Sequence, residues 1–364
     1  MIYLRNKIKK IISVFLVMFF LSSFGQRNQY YDQTLENTIQ KAKILGSNSP
    51  SEGISELDRI IKYSQEKKNP YYEMIANSNK VFFYSDLNDF QKMITSADLT
   101  ILQARKLSIY KKEIEAATKK AWAQVHLGLI NEAEKQLTDI DPLLSKLDTN
   151  NDVDLNILGL YWNTYQEFYN VQEKDKEAVS KGLKSLEYFS KIKNRNNRTH
   201  RLIQAYTSIG SNYLFQSKAD SALYYFTIGK NLFDFNSFPD KKSLAIIYSG
   251  SGMAYSIKKN YKAAIPALIE GINVSKGKYP DIYNTSFAQL SEAFDNSTRE
   301  DKEKYRTQYE KIKSDIAINN KLKSVEMENI QKATDKNKVS KYIMDYFCGT
   351  YFEWCSLFIL QSEG

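Results

Sequence analysis

Cysteine, histidine, proline and glycine are all scarce in this sequence of 364 residues. The 2 cysteines exclude a disulfide-stabilised scaffold. The 2 histidines, His126 and His200, exclude a histidine-rich metal site and disfavour a histidine-based catalytic centre. Turn-forming residues are also few, with 14 Gly and 6 Pro. The composition therefore predicts a helical protein rather than a turn-rich β-fold.

Apolar and charged residues are present at ordinary levels. They make up 42% and 26% of the chain, which excludes both a polytopic membrane protein and a wholly disordered chain. The formal net charge is +9, but four basic residues and no acidic residue lie in the first 25 positions. The rest of the chain therefore carries only +5, which is too weak a field to indicate a nucleic-acid partner.

The N-terminal segment has the organisation of a secretory signal peptide. A basic stretch, Met1–Lys10, precedes an apolar run over Ile11–Gly25, and Ser23 and Gly25 are small residues before a predicted cleavage site at Gln26. The alternative is an uncleaved signal anchor, but the run is short for a span that needs roughly 20 residues. We therefore predict a signal peptide over residues 1–25 and an exported protein, either periplasmic or associated with the envelope. No cysteine follows the run, so a lipoprotein anchor is excluded.

Two segments of the chain, Ile203–Phe235 and Ala245–Lys276, align as copies of one repeat. Each copy contains a glycine, an aromatic residue three positions later, an alanine twelve positions later and a large apolar residue four positions beyond the alanine. Two helices that cross closely need small residues at the contact, with bulky ones around it. The pattern therefore predicts helical hairpins that bury their apolar faces by stacking on copies of themselves. The residues predicted to pack the repeats are Gly210, Tyr213, Ala222 and Phe226 in the first copy and Gly252, Tyr255, Ala264 and Leu268 in the second.

These spacings resemble the tetratricopeptide repeat (TPR). Tyr206 and Tyr248 occupy the place of its tryptophan, whereas Ser251 departs from the expected leucine. The proline expected at the end of the second helix is absent from both copies. Ala222 and Ala264 are 42 residues apart, longer than the usual repeat of about 34 residues, so longer helices or connections must take up the difference.

Weaker copies extend the repeat in both directions. Each predicted second helix begins near an anchor residue, and successive anchors are 39 to 45 residues apart. A seventh, partial unit is predicted from Phe287–Phe294 and the helix that starts at Arg299. The predicted fold class is therefore all-α, a right-handed α-solenoid of six or seven TPR-like hairpins over residues 26–296. The anchors are Ile54, Met93, Ala133, Ala178, Ala222 and Ala264.

Residues 297–341 are highly charged, lack Gly and Pro, and are predicted to form one long helix. Tyr305, Tyr309, Ile312 and Ile316 recur at helical spacing, so this stripe is expected to pack on the last repeat.

The last segment, residues 342–364, is aromatic and apolar but contains Asp345 and Glu353. Each acid would cost roughly 2.5–3.5 kcal/mol at a bilayer centre, which disfavours a clean transmembrane helix. The segment resembles a truncated or frameshifted transmembrane span. The alternative is a genuine tail that packs on the solenoid or associates with a membrane surface.

No motif for a nucleotide loop, a nucleophile elbow or a zinc-binding helix occurs, so we predict no enzyme activity, no cofactor and no metal site. The run Ser249–Gly252 has the composition of a phosphate loop but falls inside a predicted helix. Cys348 and Cys355 have no histidine near them. His126 is predicted at a helix end. His200, with the basic cluster Lys191, Lys193, Arg195, Arg198 and Arg201, is predicted in a solvated loop between repeats; the alternative for the cluster is contact with an acidic partner.

The resemblance to TPR proteins implies that the first helices of the hairpins line a concave groove. Carried onto this sequence, it places a polar and nearly uncharged set of residues along that groove, although ordinary exposed helix positions would look the same. The set lacks the Lys/Arg–Asn combination by which some TPR domains hold a C-terminal carboxylate. The candidate groove residues are Asn163, Glu167, Asn170, Gln204, Thr207, Ser211, Ser249 and Met253.

Together these patterns predict an exported, non-catalytic scaffold that binds a protein or peptide partner and no nucleic acid, with membrane association through residues 342–364 left open. The alternative is narrower. The order of signal peptide, repeat array, charged helix and apolar segment resembles the periplasmic sensor half of a transmembrane transcriptional regulator or sensor kinase, here without an output domain.

Overall fold

The computed structural model describes residues 30–233 and 240–337, so the predicted signal peptide and the predicted C-terminal tail lie outside the described residues. The described parts form fourteen α-helices and no strand. The helices are α1 (Gln33–Asn48), α2 (Pro50–Glu66), α3 (Pro70–Asp86), α4 (Phe90–Lys106), α5 (Tyr110–His126), α6 (Ile130–Leu144), α7 (Asp152–Val171), α8 (Asp175–Ser190), α9 (Arg195–Phe215), α10 (Ala219–Asn231), α11 (Lys241–Ile257), α12 (Tyr261–Ser275), α13 (Pro280–Asn296) and α14 (Arg299–Asn337).

The helices form seven consecutive hairpins, from α1–α2 to α13–α14. Each helix packs mainly against its neighbours in the chain, and first helices such as α5 and α7 also contact each other. Contacts limited to adjacent units define a solenoid. The prediction of an all-α solenoid of helical hairpins is therefore confirmed, with the seventh hairpin completed by α14.

A three-residue turn of constant geometry joins most of the helices. Its middle residue has a positive φ, between 51° and 72°, and the N–H of its third residue donates to the carbonyl five residues earlier at 2.8–3.0 Å. This hydrogen bond closes a Schellman motif at the end of the preceding helix. Glycine is the usual residue at the positive-φ position, yet only one of these turns has it. The middle residues are Lys68, Asn88, Ser108, Gly128, Glu173, Ser217 and Lys259.

Phe226 is the centre of the contact between the fifth and sixth hairpins. Its fully buried ring, on α10, lies between Gly210 of α9 and Gly250 of α11. A Cβ atom on Gly210 would lie 2.7 Å from the ring, and one on Gly250 would lie 2.5 Å from it. Ala222 is also fully buried on α10, and Tyr213 stacks on Tyr225 with ring centroids 5.5 Å apart. Both helices that flank the ring therefore need a residue without a side chain.

The second aligned copy is packed in a similar way. Gly252 of α11 faces the side chain of Leu268. A Cβ atom added to Gly252 would lie 3.2 Å from the carbonyl oxygen of Ala264. Ala264 and Leu268 are fully buried on α12. Tyr255 is partly buried against the apolar cluster that α12 forms with α13 and α14.

The first hairpin corrects the repeat frame by one residue. Ile54, the predicted anchor, is only half-buried, whereas the preceding Gly53 is buried against Gly46 of α1. In each of the first six hairpins, the buried small or flexible anchor is the fourth residue of the second helix. The length of the repeat comes from long helices, such as the 21 residues of α9, and from long connections between hairpins, such as the seven residues between α6 and α7, because the turns within the second to sixth hairpins have three residues.

Helix α14 has 39 residues, and its first half packs on the end of the array. Tyr309 and Ile312 are buried, and Tyr305 and Ile316 are partly buried, against residues of α12 and α13. The Tyr309 ring stacks on Phe294 with centroids 4.1 Å apart. The predicted packing stripe is thus confirmed. Of the helices described, none is both long enough and apolar enough to cross a bilayer.

Candidate binding channel

The array curls far enough for distant hairpins to face each other. Lys242, at the start of α11, affects the pKa of Asp86 at the end of α3 and that of His126 at the end of α5. Tyr279, just before α13, also responds to the charge of Asp86. Exposed charges are largely screened beyond about 8 Å in physiological salt. These electrostatic couplings indicate that the second and third hairpins face the sixth and seventh across a concave space, which we call the channel.

Each first helix from α3 to α9 presents one stripe of side chains to the channel, and the start of α11 completes it. Some residues of a stripe contact a side chain on the neighbouring first helix. The other residues of the stripe lie on the same helix face, three or four positions away along the helix or a multiple of that spacing. They are mostly polar and include both charge signs. The channel residues are Phe82, Asp86, Lys112, Glu115, Lys119, His126, Asn156, Asn163, Glu167, Asn170, Arg201, Gln204, Ser208, Ser211, Asp240 and Lys242.

Lys119 is a half-buried cation on α5. Its Nζ lies 4.0 Å from the centroid of the Phe82 ring on α3, and no carboxylate of the described residues comes within 4.0 Å of it. Burial lowers its pKa to about 8, and the positive charge of Arg201 contributes to the decrease, while Glu115 and Asp86 oppose it. Lys119 is therefore held by a neutral ring, and its charge is only partly compensated.

Arg201, on α9, is held in the same manner by neutral groups. Its Nε donates to Oδ1 of Asn156 on α7 at 2.6 Å, and its Nη1 donates to Oε1 of Gln204 at 2.8 Å. Burial lowers its pKa, and the charges of Glu115 and Asp240 oppose the shift. Two of the five N–H donors of the guanidinium are used, which leaves three for another acceptor.

Two of the channel carboxylates already have partners. Glu115 accepts from Lys112 at 2.6 Å. Asp240 caps α11, since it accepts from the backbone N–H of Ser243 at 3.1 Å and from its hydroxyl at 2.9 Å. His200 also lies 3.6 Å from Asp240, and burial followed by the charge of Arg201 lowers the pKa of His200. These carboxylates are therefore engaged elsewhere and leave Lys119, Arg201 and Lys242 without a direct ion pair.

His126 is enclosed by aromatic rings although its outer edge is exposed. The imidazole stacks on Phe90 at 5.2 Å and contacts Trp122 at 4.1 Å between ring centroids. Desolvation, and then the charge of Lys242, lower its pKa to about 4. His126 is therefore neutral at pH 7. It is also the last residue of α5, as the sequence predicted.

A hydrogen-bond chain joins α7 to α9 further along the channel. The hydroxyl of Ser208 donates to Glu167 at 2.9 Å, and Nε2 of Gln166 donates to that hydroxyl at 2.9 Å. Burial raises the pKa of Glu167, and the bond from Ser208 opposes this shift. Glu167 is thus a half-buried carboxylate whose ionised form is disfavoured by its surroundings.

Five of the eight predicted groove residues are half-buried on first helices, at positions that continue the inferred channel stripes. Asn163, Glu167 and Asn170 are half-buried on α7, and Gln204 and Ser211 are half-buried on α9. Of these, Glu167 and Gln204 have side-chain bonds that link helices or orient Arg201. Ser211 donates to the carbonyl of Thr207 within its own helix.

The structure corrects three other groove residues. Thr207 is only 4% exposed and donates to the carbonyl of Ile203, so it faces the helix packing. Ser249 is 6% exposed and contacts the hydroxyl of Ser286 at 2.5 Å, because α11 and α13 cross there. Met253 packs against the apolar cluster at the end of the array. These three residues do not line the channel.

Sequence reasoning missed Lys119 and Lys242, and it included Arg201 only in a basic cluster whose alternative reading was contact with an acidic partner. It placed His200 and Arg201 in a solvated loop, but α9 begins at Arg195 and both residues lie on that helix. Lys119 and Lys242 gave no signal, because single lysines on helices are usually solvated. Within residues 30–233 and 240–337, no group of three or more metal-binding side chains comes together.

No family model and no curated protein matches this chain. It is similar to the crystal structure of BtubC (BKLC) from P. vanneervenii, with 12% identity, a TM-score of 0.45, and coverage of 66% of this chain and 88% of that one. It is also similar to a tetratricopeptide repeat protein from Parabacteroides merdae ATCC 43184, with 10% identity, a TM-score of 0.41, and coverage of 70% and 99%.

Proposed function

We propose that this protein is a non-catalytic scaffold that binds an extended segment of a partner protein in the channel. The observation that carries the proposal is the alignment of polar side chains from four successive first helices, and from the start of a fifth, along one concave surface. Curved helical arrays provide extended surfaces of this kind. Three of the guanidinium N–H groups of Arg201 and the exposed ammonium of Lys242 have no protein acceptor among the described residues.

The chemistry of the channel favours binding over catalysis. The groups with shifted pKa values are spread over several helices. None of the described ones forms the close pair of nucleophile and base that covalent catalysis requires. The basic and apolar organisation of residues 1–25 supports export, so we place the binding function in the periplasm or at the envelope.

The proposal is tested by selecting peptides from a displayed random library on the purified full-length protein. Affinities are then measured by fluorescence anisotropy for the wild type and for Asn163→Arg, which would fill the middle of the channel. Asn131→Arg is the matched control, because Asn131 is exposed on α6 outside the channel. We expect Asn163→Arg to weaken binding at least about tenfold, the equivalent of roughly 1.4 kcal/mol, and Asn131→Arg to leave it unchanged.

Two outcomes would contradict the proposal. Selection of no peptide would exclude a peptide-binding channel. Equal affinities of the wild type and Asn163→Arg would place the binding surface elsewhere on the molecule.

A second candidate function is the input half of a membrane-bound regulator. The observation that favours it is α14, which continues for 21 residues beyond Ile316, the last residue of its packing stripe. A helix that extends beyond the array suits the transmission of a binding signal to a following segment. Fractionation of cell envelopes tests this reading. Recovery in the inner membrane supports it, and recovery in the soluble periplasm contradicts it.

A further inference from the structure

We propose that the segment bound in the channel is acidic, and that its carboxylates contact Lys119, Arg201 and Lys242. This inference rests on the proposed function and specifies the chemistry of the partner. The three cations lie on α5, α9 and α11, so they belong to three different hairpins and point to a chain-like ligand rather than to a single small anion.

The first argument is the way in which the cations are held. Lys119 lies over the ring of Phe82, and Arg201 bonds to the amides of Asn156 and Gln204. Rings and amides position a cation, but they do not neutralise its charge. A half-buried cation without a carboxylate partner is costly. The cost decreases when an external carboxylate supplies the missing charge.

The second argument is the charge balance of the channel. Glu115 is paired with Lys112, and Asp240 is engaged as the cap of α11 and with His200. Glu167 accepts a hydrogen bond from the hydroxyl of Ser208. Asp86 is the remaining channel acid; it is exposed and lies within the field of both Lys242 and Lys119. Three cations therefore face one acid that is not otherwise engaged.

The position of Lys242 is the third argument. It is the second residue of α11, where the helix dipole disfavours a positive charge. It is exposed and makes no ion pair within 4.0 Å among the residues described. A lysine at this place does not stabilise its own helix, but the positive end of the helix and the lysine together attract an anion.

The unused donors favour a carboxylate partner. Arg201 keeps three N–H groups after its two amide bonds, in the planar arrangement that binds carboxylates in a bidentate manner. Side chains of an extended segment alternate in direction, with about 3.3 Å between residues. An acidic segment can thus present carboxylates to the third, fifth and sixth hairpins while its other side chains face the polar stripe of α7 in the fourth.

The test uses three fluorescein-labelled peptides of about 12 residues, long enough when extended to span several hairpins. One alternates Glu and Ala, one Gln and Ala, and one Lys and Ala. Anisotropy with the full-length protein is expected to show that the Glu peptide binds at least about tenfold tighter than the Gln peptide, with an advantage that decreases at high salt. The Lys peptide is expected not to bind.

Single substitutions locate the site. Lys119→Gln and Arg201→Gln are each expected to weaken the Glu peptide about tenfold, as expected for loss of a charge-assisted hydrogen bond. Lys135→Gln is the matched control, because Lys135 is exposed on α6 away from the channel. Lys242→Gln is the variant that keeps the test valid if the half-buried positions do not tolerate change, since Lys242 is exposed. Circular dichroism verifies the fold of each variant.

Each contrary outcome has a distinct meaning. Equal binding of the Glu and Gln peptides would overturn the acidic preference and leave the proposed scaffold function standing. Competition by inorganic phosphate at concentrations similar to those of the Glu peptide would overturn the assignment to a polypeptide. Binding of none of the three peptides, together with failure of the library selection, would overturn the proposed function itself.

Discussion

Replacement of Gly250 by alanine tests the central packing contact of the array. The new Cβ would lie 2.5 Å from Cζ of Phe226 and 2.7 Å from Cε2. An ordinary carbon–carbon contact is about 3.5 Å, so the ring would have to move by about 1 Å. It has no space on the other side, because Gly210 already lies against it.

The expected magnitude follows from two opposing effects. Overpacking of a core costs roughly 1–3 kcal/mol, whereas Gly to Ala inside a helix gains about 0.8–1 kcal/mol of propensity. Gly250→Ala should therefore destabilise the protein by up to about 2 kcal/mol, and the closed space around the ring favours the upper end of that range. Gly229→Ala is the matched control, since its new Cβ would lie 3.2 Å from the terminal Cδ1 of Ile247, which can rotate away. That variant should gain about 0.5–1 kcal/mol from helix propensity.

Guanidinium unfolding, followed by helical circular dichroism, measures both changes. The two variants should differ by about 2 kcal/mol, a factor of roughly 30 in the unfolding equilibrium. Adding Phe226→Leu to Gly250→Ala removes the clash, so the double variant should recover part of the stability lost in Gly250→Ala. A double-mutant cycle over these two positions should give a coupling energy of at least about 0.5 kcal/mol.

The reasoning would be refuted by either of two results. One is a Gly250→Ala variant that is as stable as Gly229→Ala. The other is a cycle in which Phe226→Leu and Gly250→Ala are simply additive, because the ring and the glycine would then not limit each other.

Three further predictions follow from the turns and the channel. Lys259→Gly should stabilise the protein by about 1 kcal/mol, because residue 259 has a φ of 56°, and Gly128→Ala should destabilise it by about 1–2 kcal/mol, with thermal unfolding as the measurement. Glu167→Gln should be more stable than the wild type at pH 8 and equally stable at pH 4. Burial raises the pKa of Glu167 above 4.5, so the folded wild type loses stability as the pH rises from the pKa of the unfolded chain through that of the folded protein. Denaturation at several pH values measures the difference in unfolding free energy between the variant and the wild type. A difference that does not change with pH would contradict the prediction. Lys119, with a pKa of about 8, should be acetylated at pH 8 before the exposed Lys135, as measured by mass spectrometry, and equal rates would contradict the low pKa.

The sequence determined the helices and their pairing because the signals are local. Scarce glycine and proline leave long helices uninterrupted, and a helix crossing requires small residues at fixed spacing along each helix. For this reason Gly210, Gly252, Ala222 and Ala264 predicted the packing of two hairpins from spacing alone. The same frame was off by one only at Ile54, where the glycine that makes the contact precedes a larger apolar residue.

The turns show a limit of local reasoning. A positive φ normally indicates glycine or asparagine, yet Lys259, Glu173 and Ser217 occupy that position here. The packing of the flanking helices imposes the conformation and offsets its backbone cost. No property of these side chains could have predicted it.

The channel was decided by the tertiary structure alone. Lys119, Arg201 and Lys242 lie far apart in the sequence, and each resembles an ordinary surface cation on its own helix. They come to line one concave space because small rotations between hairpins accumulate along the solenoid until distant hairpins face each other. Local patterns are set by contacts within one hairpin and can be read from the chain, whereas the curvature, and with it the charge of the channel, depends on all the interfaces between hairpins together.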